Sequence, residues 1–155
     1  MTTKRTALFA GSFDPFTVGH ESIVARGLEI FDRIVIGVGV NAQKRAWMTP
    51  EERVSAIREL YAGEPRVSVM QFGCLTAHAA AECGARFLLR GVRSVADFEY
   101  ERTLADINRN ISGIESVLIY ALPQFASVSS SVVRELASYG ADISAYLPAG
   151  SRKPK

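Results

Sequence analysis

Gly11-Ser12-Phe13-Asp14-Pro15-Phe16-Thr17-Val18-Gly19-His20 follows the apolar run Ala7-Leu8-Phe9-Ala10 and precedes an amphipathic segment. That order reads as a strand, a turn and a helix start. Such a loop brings backbone N–H groups, the Ser12 hydroxyl and the His20 imidazole to the carboxyl end of a strand, where open α/β sheets bind their ligands. The placement predicts a site for phosphate chemistry.

Working outward, Ile23, Val24, Leu28 and Phe31 recur at helical spacing, so residues 20–31 are predicted as an amphipathic helix. Ile34 to Val40 is an almost unbroken β-branched run, the pattern of a strand buried on both faces of a parallel sheet. After the polar loop Asn41 to Met48, Thr49-Pro50-Glu51-Glu52 supplies a cap, a proline for the first helical position and the acid of a capping box. These open a helix to about Tyr61. Val67 to Phe72 reads as a third strand, Ala77 to Cys83 as a short helix closed by Gly84, and Phe87 to Leu89 as a fourth strand. Beyond Arg90-Gly91-Val92-Arg93, a longer helix carries Phe98, Leu104, Ile107 and Ile111 on one stripe as far as Gly113. Val117 to Tyr120 is the fifth strand, and residues 131–139, with Gly140 at C′, form the last long helix. The tail from Ala141 has only a short helical possibility.

Strands and helices alternate five times without repeats. This predicts one domain over residues 1–155, an α/β doubly wound, Rossmann-like fold whose five-stranded parallel sheet carries helices on both faces. The pattern does not give the strand order. If the order reverses beside the first strand, the loops after strands one, two, four and five share a crevice.

Composition narrows the function classes. The chain has 155 residues, 48% of them hydrophobic, enough for one substantial core. Its formal net charge of +2 comes from basic residues spread along the chain, which favours a small anion over nucleic acid. Cys74 and Cys83 have no metal-ligand spacing, and neither does the set Cys74, His78 and Cys83, so a reducing compartment and no zinc site are expected. Met1 to Arg5 lead into no signal-like apolar segment, and no stretch approaches a membrane span, so a cytoplasmic protein without membrane contact is expected. Walker A and G-x-S-x-G patterns are missing, which removes support for P-loop and elbow-hydrolase chemistry.

His20 falls in the first turn of a helix, where the dipole disfavours imidazolium and favours a bound phosphate. Two readings stay open for it: a donor to developing phosphoryl charge, or a cap that packs on the loop. Lys44, Arg90 and Arg93 either converge on phosphates or are solvated surface charges; a planar fork and a mobile ammonium together suit two different anionic groups. Among Ser127, Ser129, Ser130 and Ser131 at least one is an N-cap, while the hydroxyls and free amides of the helix start also suit a diphosphate. Trp47 is read as packing on the neighbouring helix rather than covering a ligand.

Together these residues resemble the bacterial phosphopantetheine adenylyltransferase family, within the nucleotidyltransferase superfamily that carries a [HT]-x-G-H loop. The resemblance spans nearly the whole chain: Gly11 to Pro15 with Thr17 to His20, Lys44, Thr49 to Arg53, Arg90 to Arg93 with Asp97 to Glu101, and Ser127 to Ser131. It implies adenylyl transfer from ATP to 4′-phosphopantetheine, giving dephospho-coenzyme A and pyrophosphate with Mg2+ assisting. It further implies a homohexamer and coenzyme A as a feedback ligand. By the resemblance His20, Lys44 and Arg93 are catalytic, and Ser12, Lys44, Thr76 and Arg90 hold phosphopantetheine. ATP falls to Ser12, Phe13, His20, Gly91, Val92, Arg93 and Glu101, with Phe125, Ala126, Ser127, Val128, Ser129, Ser130 and Ser131. Gly73 to His78 departs from the family pattern, and so does Phe125. Transfer to another phosphorylated acceptor and a nucleotide sensor without turnover are the competing readings.

Overall fold

Strand β1 (Thr6–Gly11) occupies the middle of the sheet because every residue from Thr6 to Ala10 is buried and both of its edges are paired. In the computed structural model, which describes residues 2–152, it is followed by α1 (Val18–Gly27), β2 (Arg33–Gly39), α2 (Pro50–Leu60), β3 (Val67–Phe72) and α3 (Thr76–Glu82). Then come β4 (Phe87–Val92), α4 (Val95–Ser112), β5 (Glu115–Tyr120) and α5 (Ser130–Ser138), with a short 3-10 turn at Ser144–Tyr146 in the tail. Met1 and residues 153–155 lie outside the described residues.

All pairings are parallel and the order is β3-β2-β1-β4-β5. The chain winds outward from β1 to β3, then crosses back to lay β4 on the other side of β1. The order therefore reverses between β1 and β4, the place where a doubly wound sheet opens a crevice. The predicted α/β class, parallel sheet and two helical layers are all present.

Alternation along β1 feeds both layers. Ala7 and Phe9 face Ile23 and Val24 of α1 and Val54 and Ile57 of α2. Leu8 and Ala10 face Ala79 and Ala80 of α3 and Ile114. Leu8, Ile34, Ile36 and Leu89 are fully buried, each contributing about 1.5–3 kcal/mol by removal from water. Helix α1 lies close on the sheet at Gly27, where a Cβ would come within 2.7 Å of Leu89 Cδ2 and 2.9 Å of Ile34 Cδ1.

Strand β5 begins two residues before the expected Val117, at Glu115, and three elements differ more from the sequence expectation. Helix α1 starts at Val18 and ends at Gly27 rather than spanning 20–31, because Thr17 takes the N-cap position. Its periodicity outlives it, since Phe31 N still bonds Gly27 O and Phe31 stays buried. Strand β4 runs past Leu89 to Val92, so Arg90 and Gly91 are ladder residues paired with Leu118 and Ile119. Helix α4 carries the predicted stripe, but Phe98, Ile107 and Ile111 are 39%, 48% and 45% exposed, and Glu101 is its buried residue. Periodicity reports an apolar face and not what covers it. Among the described residues no helix is long and apolar enough to cross a membrane.

Candidate active site

The reversal between β1 and β4 opens a cleft of about 400 Å3. The end of β1 and its loop bring Ser12 and Phe13; α1 brings His20; the loop after β2 brings Lys44. Gly91, Val92 and Arg93 line it from the end of β4, with Glu101 from α4. Phe125, Val128, Ser129, Ser130 and Ser131 close it from the segment before and into α5. Ala126 and Ser127 are exposed and do not line this cleft. A second cavity of about 200 Å3 on the other side of Arg90 holds Thr76, with Ser12, Arg90 and Glu101 common to both. A shallower groove of about 480 Å3 along α2 and β3, lined by Glu51, Arg58 and Gln71, contains none of these residues.

His20 is both a cap and a cleft residue. Thr17 Oγ accepts from His20 N at 3.3 Å, and His20 Nδ1 accepts from Thr17 N at 2.9 Å, completing a capping box with histidine in the third helical position. Because Nδ1 is an acceptor there, the proton of the neutral ring sits on Nε2. Phe9, Phe13 and Phe16 surround the imidazole with ring centroids 6.1, 4.9 and 5.3 Å away. Burial first, then the charges of Arg90 and Arg93, push its pKa down from 6.5 to about 3. The ring is thus a neutral Nε2–H donor at pH 7. Phe13, which backs it, has φ of 50°, a left-handed conformation that places the loop under local strain.

Arg90 and Glu101 form a bidentate pair, Nε to Oε2 at 2.9 Å and Nη2 to Oε1 at 2.7 Å, and Arg90 Nη1 also donates to Ala10 O. Both carboxylate oxygens of Glu101 are therefore engaged by Arg90, so Glu101 fixes a guanidinium that faces both cavities. Asp97 Oδ2 accepts from Arg93 N at 3.1 Å and lies 3.4 Å from its Nε. The serines divide their work. Ser129 caps α5 by accepting from Val132 N at 3.2 Å, and Ser130 Oγ donates to Pro15 O at 2.7 Å. Of these three consecutive serines, Ser131 keeps the most open hydroxyl, beside Arg134 Nη2 at 3.4 Å.

Sequence reading missed Thr17, Arg134 and Tyr100 as cleft residues. Thr17 had a signal, the Thr-x-x-His spacing of a capping box. Arg134 reaches the cleft by donating to Asp14 O at 2.6 Å across 120 residues, a contact no local pattern announces. Trp47, expected to pack on a helix, is 36% exposed, and its backbone N–H donates to Asp14 Oδ2 at 2.7 Å. Cys74 and Cys83 are free thiols.

Chemically the cleft offers Lys44, Arg90, Arg93 and Arg134, a neutral N–H donor, hydroxyls and the amides of a helix start. Its carboxylates are paired with arginines, so neither Asp97 nor Glu101 is placed as a general base. The set suits phosphoryl-type transfer to an acceptor that is already anionic, with catalysis by positioning and charge stabilisation. Among the described residues no group of three or more His, Cys, Asp or Glu could hold a metal ion.

A family model described as cytidylyltransferase-like matches residues 8–136. A phosphopantetheine adenylyltransferase of Phocaeicola vulgatus is 48% identical over 148 residues, covering 96% of this chain and 98% of the relative. Phosphopantetheine adenylyltransferases of Bacteroides thetaiotaomicron and Porphyromonas gingivalis are 49% and 50% identical, covering 94% and 95% of this chain and 97% and 96% of the relatives. A crystal structure of a bifunctional NMN adenylyltransferase/ADP ribose pyrophosphatase from Francisella tularensis, complexed with AMP and a Mn ion, aligns with a TM-score of 0.66. At 11% identity over 94% of this chain and 44% of the other, that likeness speaks to the fold alone.

Proposed function

The chain belongs to the phosphopantetheine adenylyltransferase family, within the cytidylyltransferase-like group, and on that premise we infer that it transfers the adenylyl group of ATP to 4′-phosphopantetheine. The products are dephospho-coenzyme A and pyrophosphate. One observation carries the chemistry: a histidine held neutral, with its free N–H in a cationic cleft at the switch point of the sheet.

In the step itself an oxygen of the phosphopantetheine phosphate forms a bond to the α-phosphorus of ATP, and the bond from that phosphorus to the α,β-bridging oxygen breaks. Pyrophosphate leaves with the electron pair. The nucleophile needs no deprotonation, which agrees with a cleft that places no free base. His20 Nε2–H donates to the non-bridging oxygens as their charge grows. Ser12 and Lys44 hold the reacting phosphates, and Arg93 with the backbone of Gly91 and Val92 lines the nucleotide. Phe13 contributes its backbone to ATP. Phe125 and Val128 border adenine, and the amides at the start of α5, with Ser129 to Ser131, face the outgoing pyrophosphate. Ala126 and Ser127 complete that segment from its exposed side. Arg90, fixed by Glu101, and Thr76 face the pantetheine arm in the second cavity.

Mg2+ would enter with ATP and offset the negative charge of its phosphates, a role it would share with Lys44 and Arg93. A homohexamer is the expected assembly, and the uncovered stripe on α4 supplies an apolar face for contact between copies. Coenzyme A is a candidate feedback ligand because it carries both the adenylyl and the pantetheine parts. The expected location is the cytoplasm.

The test is direct: purified protein, ATP, Mg2+ and 4′-phosphopantetheine, with pyrophosphate and dephospho-coenzyme A measured. No product, or product only with another phosphorylated acceptor, removes the assignment.

A further inference from the structure

Two charged side chains buried behind the cleft do not line it. Asp14 is 6% exposed: its Oδ2 accepts from Trp47 N at 2.7 Å and its Oδ1 from Met48 N at 2.9 Å. Arg53, on α2, is 4% exposed and donates only to backbone carbonyls. Its Nε reaches Met48 O at 3.2 Å, and its Nη1 reaches Ser12 O at 2.7 Å and Gly39 O at 3.3 Å. Burying two such groups is costly, and for stability alone an apolar pair does as well.

What the pair joins is specific. Residues 41–47 are exposed throughout. Within that loop, Lys44 N bonds Asn41 O at 3.1 Å and Gln43 N bonds Asn41 Oδ1 at 3.0 Å, a turn at its entry. At its exit, three residues past Lys44, the amides of Trp47 and Met48 are held by Asp14. Arg53 then ties Met48 to Ser12 and to the end of β2. The loop that bears Lys44 and the loop that bears Ser12 are thus fastened to each other through Asp14 and Arg53.

We propose that Asp14 is a positioning residue for Lys44, with Arg53 as its counterpart on α2: together they set the Lys44 ammonium relative to Ser12 and the reacting phosphates. This rests on the reading of Lys44 as a phosphate-holding residue. A misplacement of about 1 Å in a group of this kind costs on the order of a hundredfold in rate.

The experiment is a double-mutant cycle read by pyrophosphate release, using Asp14→Asn, Lys44→Ala and both. Asparagine keeps one acceptor oxygen but turns an N–H toward an amide N–H. The expected result is a fall in kcat/KM of about tenfold or more for Asp14→Asn in the otherwise native enzyme. In the Lys44→Ala background the same substitution should change it by about twofold or less. Trp47 is the single tryptophan of the chain, so its fluorescence anisotropy reads the anchor itself, and faster local motion is expected in Asp14→Asn. Equal losses in both backgrounds, or unchanged Trp47 anisotropy, overturn the proposal. If Asp14→Asn does not fold, Arg53→Lys, which keeps the charge and loses the fork, is judged by the same criteria. A native enzyme that makes no pyrophosphate, or that ignores Lys44→Ala, overturns the underlying reading together with this one. Dependence on Lys44 with additive losses overturns only this one.

Discussion

Acidifying the protein from pH 7 to about 4.5 should leave His20 uncharged while weakening the fold. The folded-state pKa of about 3 lies below the ordinary 6.5, so between those values the unfolded chain binds a proton that the folded one refuses. The stability contribution of the neutral ring is full above about pH 6.5 and is lost progressively as pH falls toward 3. At pH 4.5, two units below the ordinary value at about 1.4 kcal/mol per unit, the loss is about 3 kcal/mol. Nitrogen-detected NMR reads the protonation state directly, because the chain has only two histidines and His78 is exposed. His20 should hold the Nε2–H neutral form throughout. Urea unfolding at both pH values, compared between native protein and His20→Ala, isolates the histidine from the carboxylates that also titrate. The native protein should lose about 3 kcal/mol more than the variant. An imidazole that protonates near 6.5, a proton found on Nδ1, or equal losses in the two proteins would refute the argument.

Glu101→Gln should loosen Arg90 and raise KM for phosphopantetheine on the order of tenfold, with a stability loss of about 1.5–3 kcal/mol from the charge-assisted bonds. Steady-state kinetics and thermal melts check both parts, and an unchanged KM counts against Arg90 as an arm-facing residue. Ile107→Glu should shift the mass measured by light scattering from an assembly toward a single chain, by placing a charge on the uncovered α4 stripe. A native protein that is already monomeric refutes that assignment of the stripe.

Local chemistry made much of this molecule readable from its sequence. The Thr49 to Glu52 box opens α2 as predicted, with Glu52 N to Thr49 Oγ at 3.1 Å and Thr49 N to Glu52 Oε2 at 2.9 Å. Val67 to Phe72 is a strand with the expected bounds. What escaped was non-local. Asp14 and Arg53 fall inside stretches that carry the resemblance, but their partners, like that of Arg134, lie 34, 41 and 120 residues away, and no local pattern gives them. The apolar run Phe87 to Leu89 predicts only the first half of strand β4, which continues through Arg90 to Val92. In the ladder the Arg90 guanidinium is paired with Glu101, eleven positions away. The two readings left open for His20 prove compatible, since the cap on Nδ1 is what frees Nε2–H.

The position of β1 has a dynamic consequence. Edge strands β3 and β5 each pair along one side, whereas β1 is bonded on both sides and buried from Thr6 to Ala10. Amide protons of such a strand exchange only when the whole molecule opens, while edges and surface loops breathe at far lower cost. The Ser12 to His20 loop therefore hangs from the slowest-exchanging part of the protein. Fraying at β3 or β5 can come and go within the lifetime of a bound nucleotide without reaching the reacting phosphates.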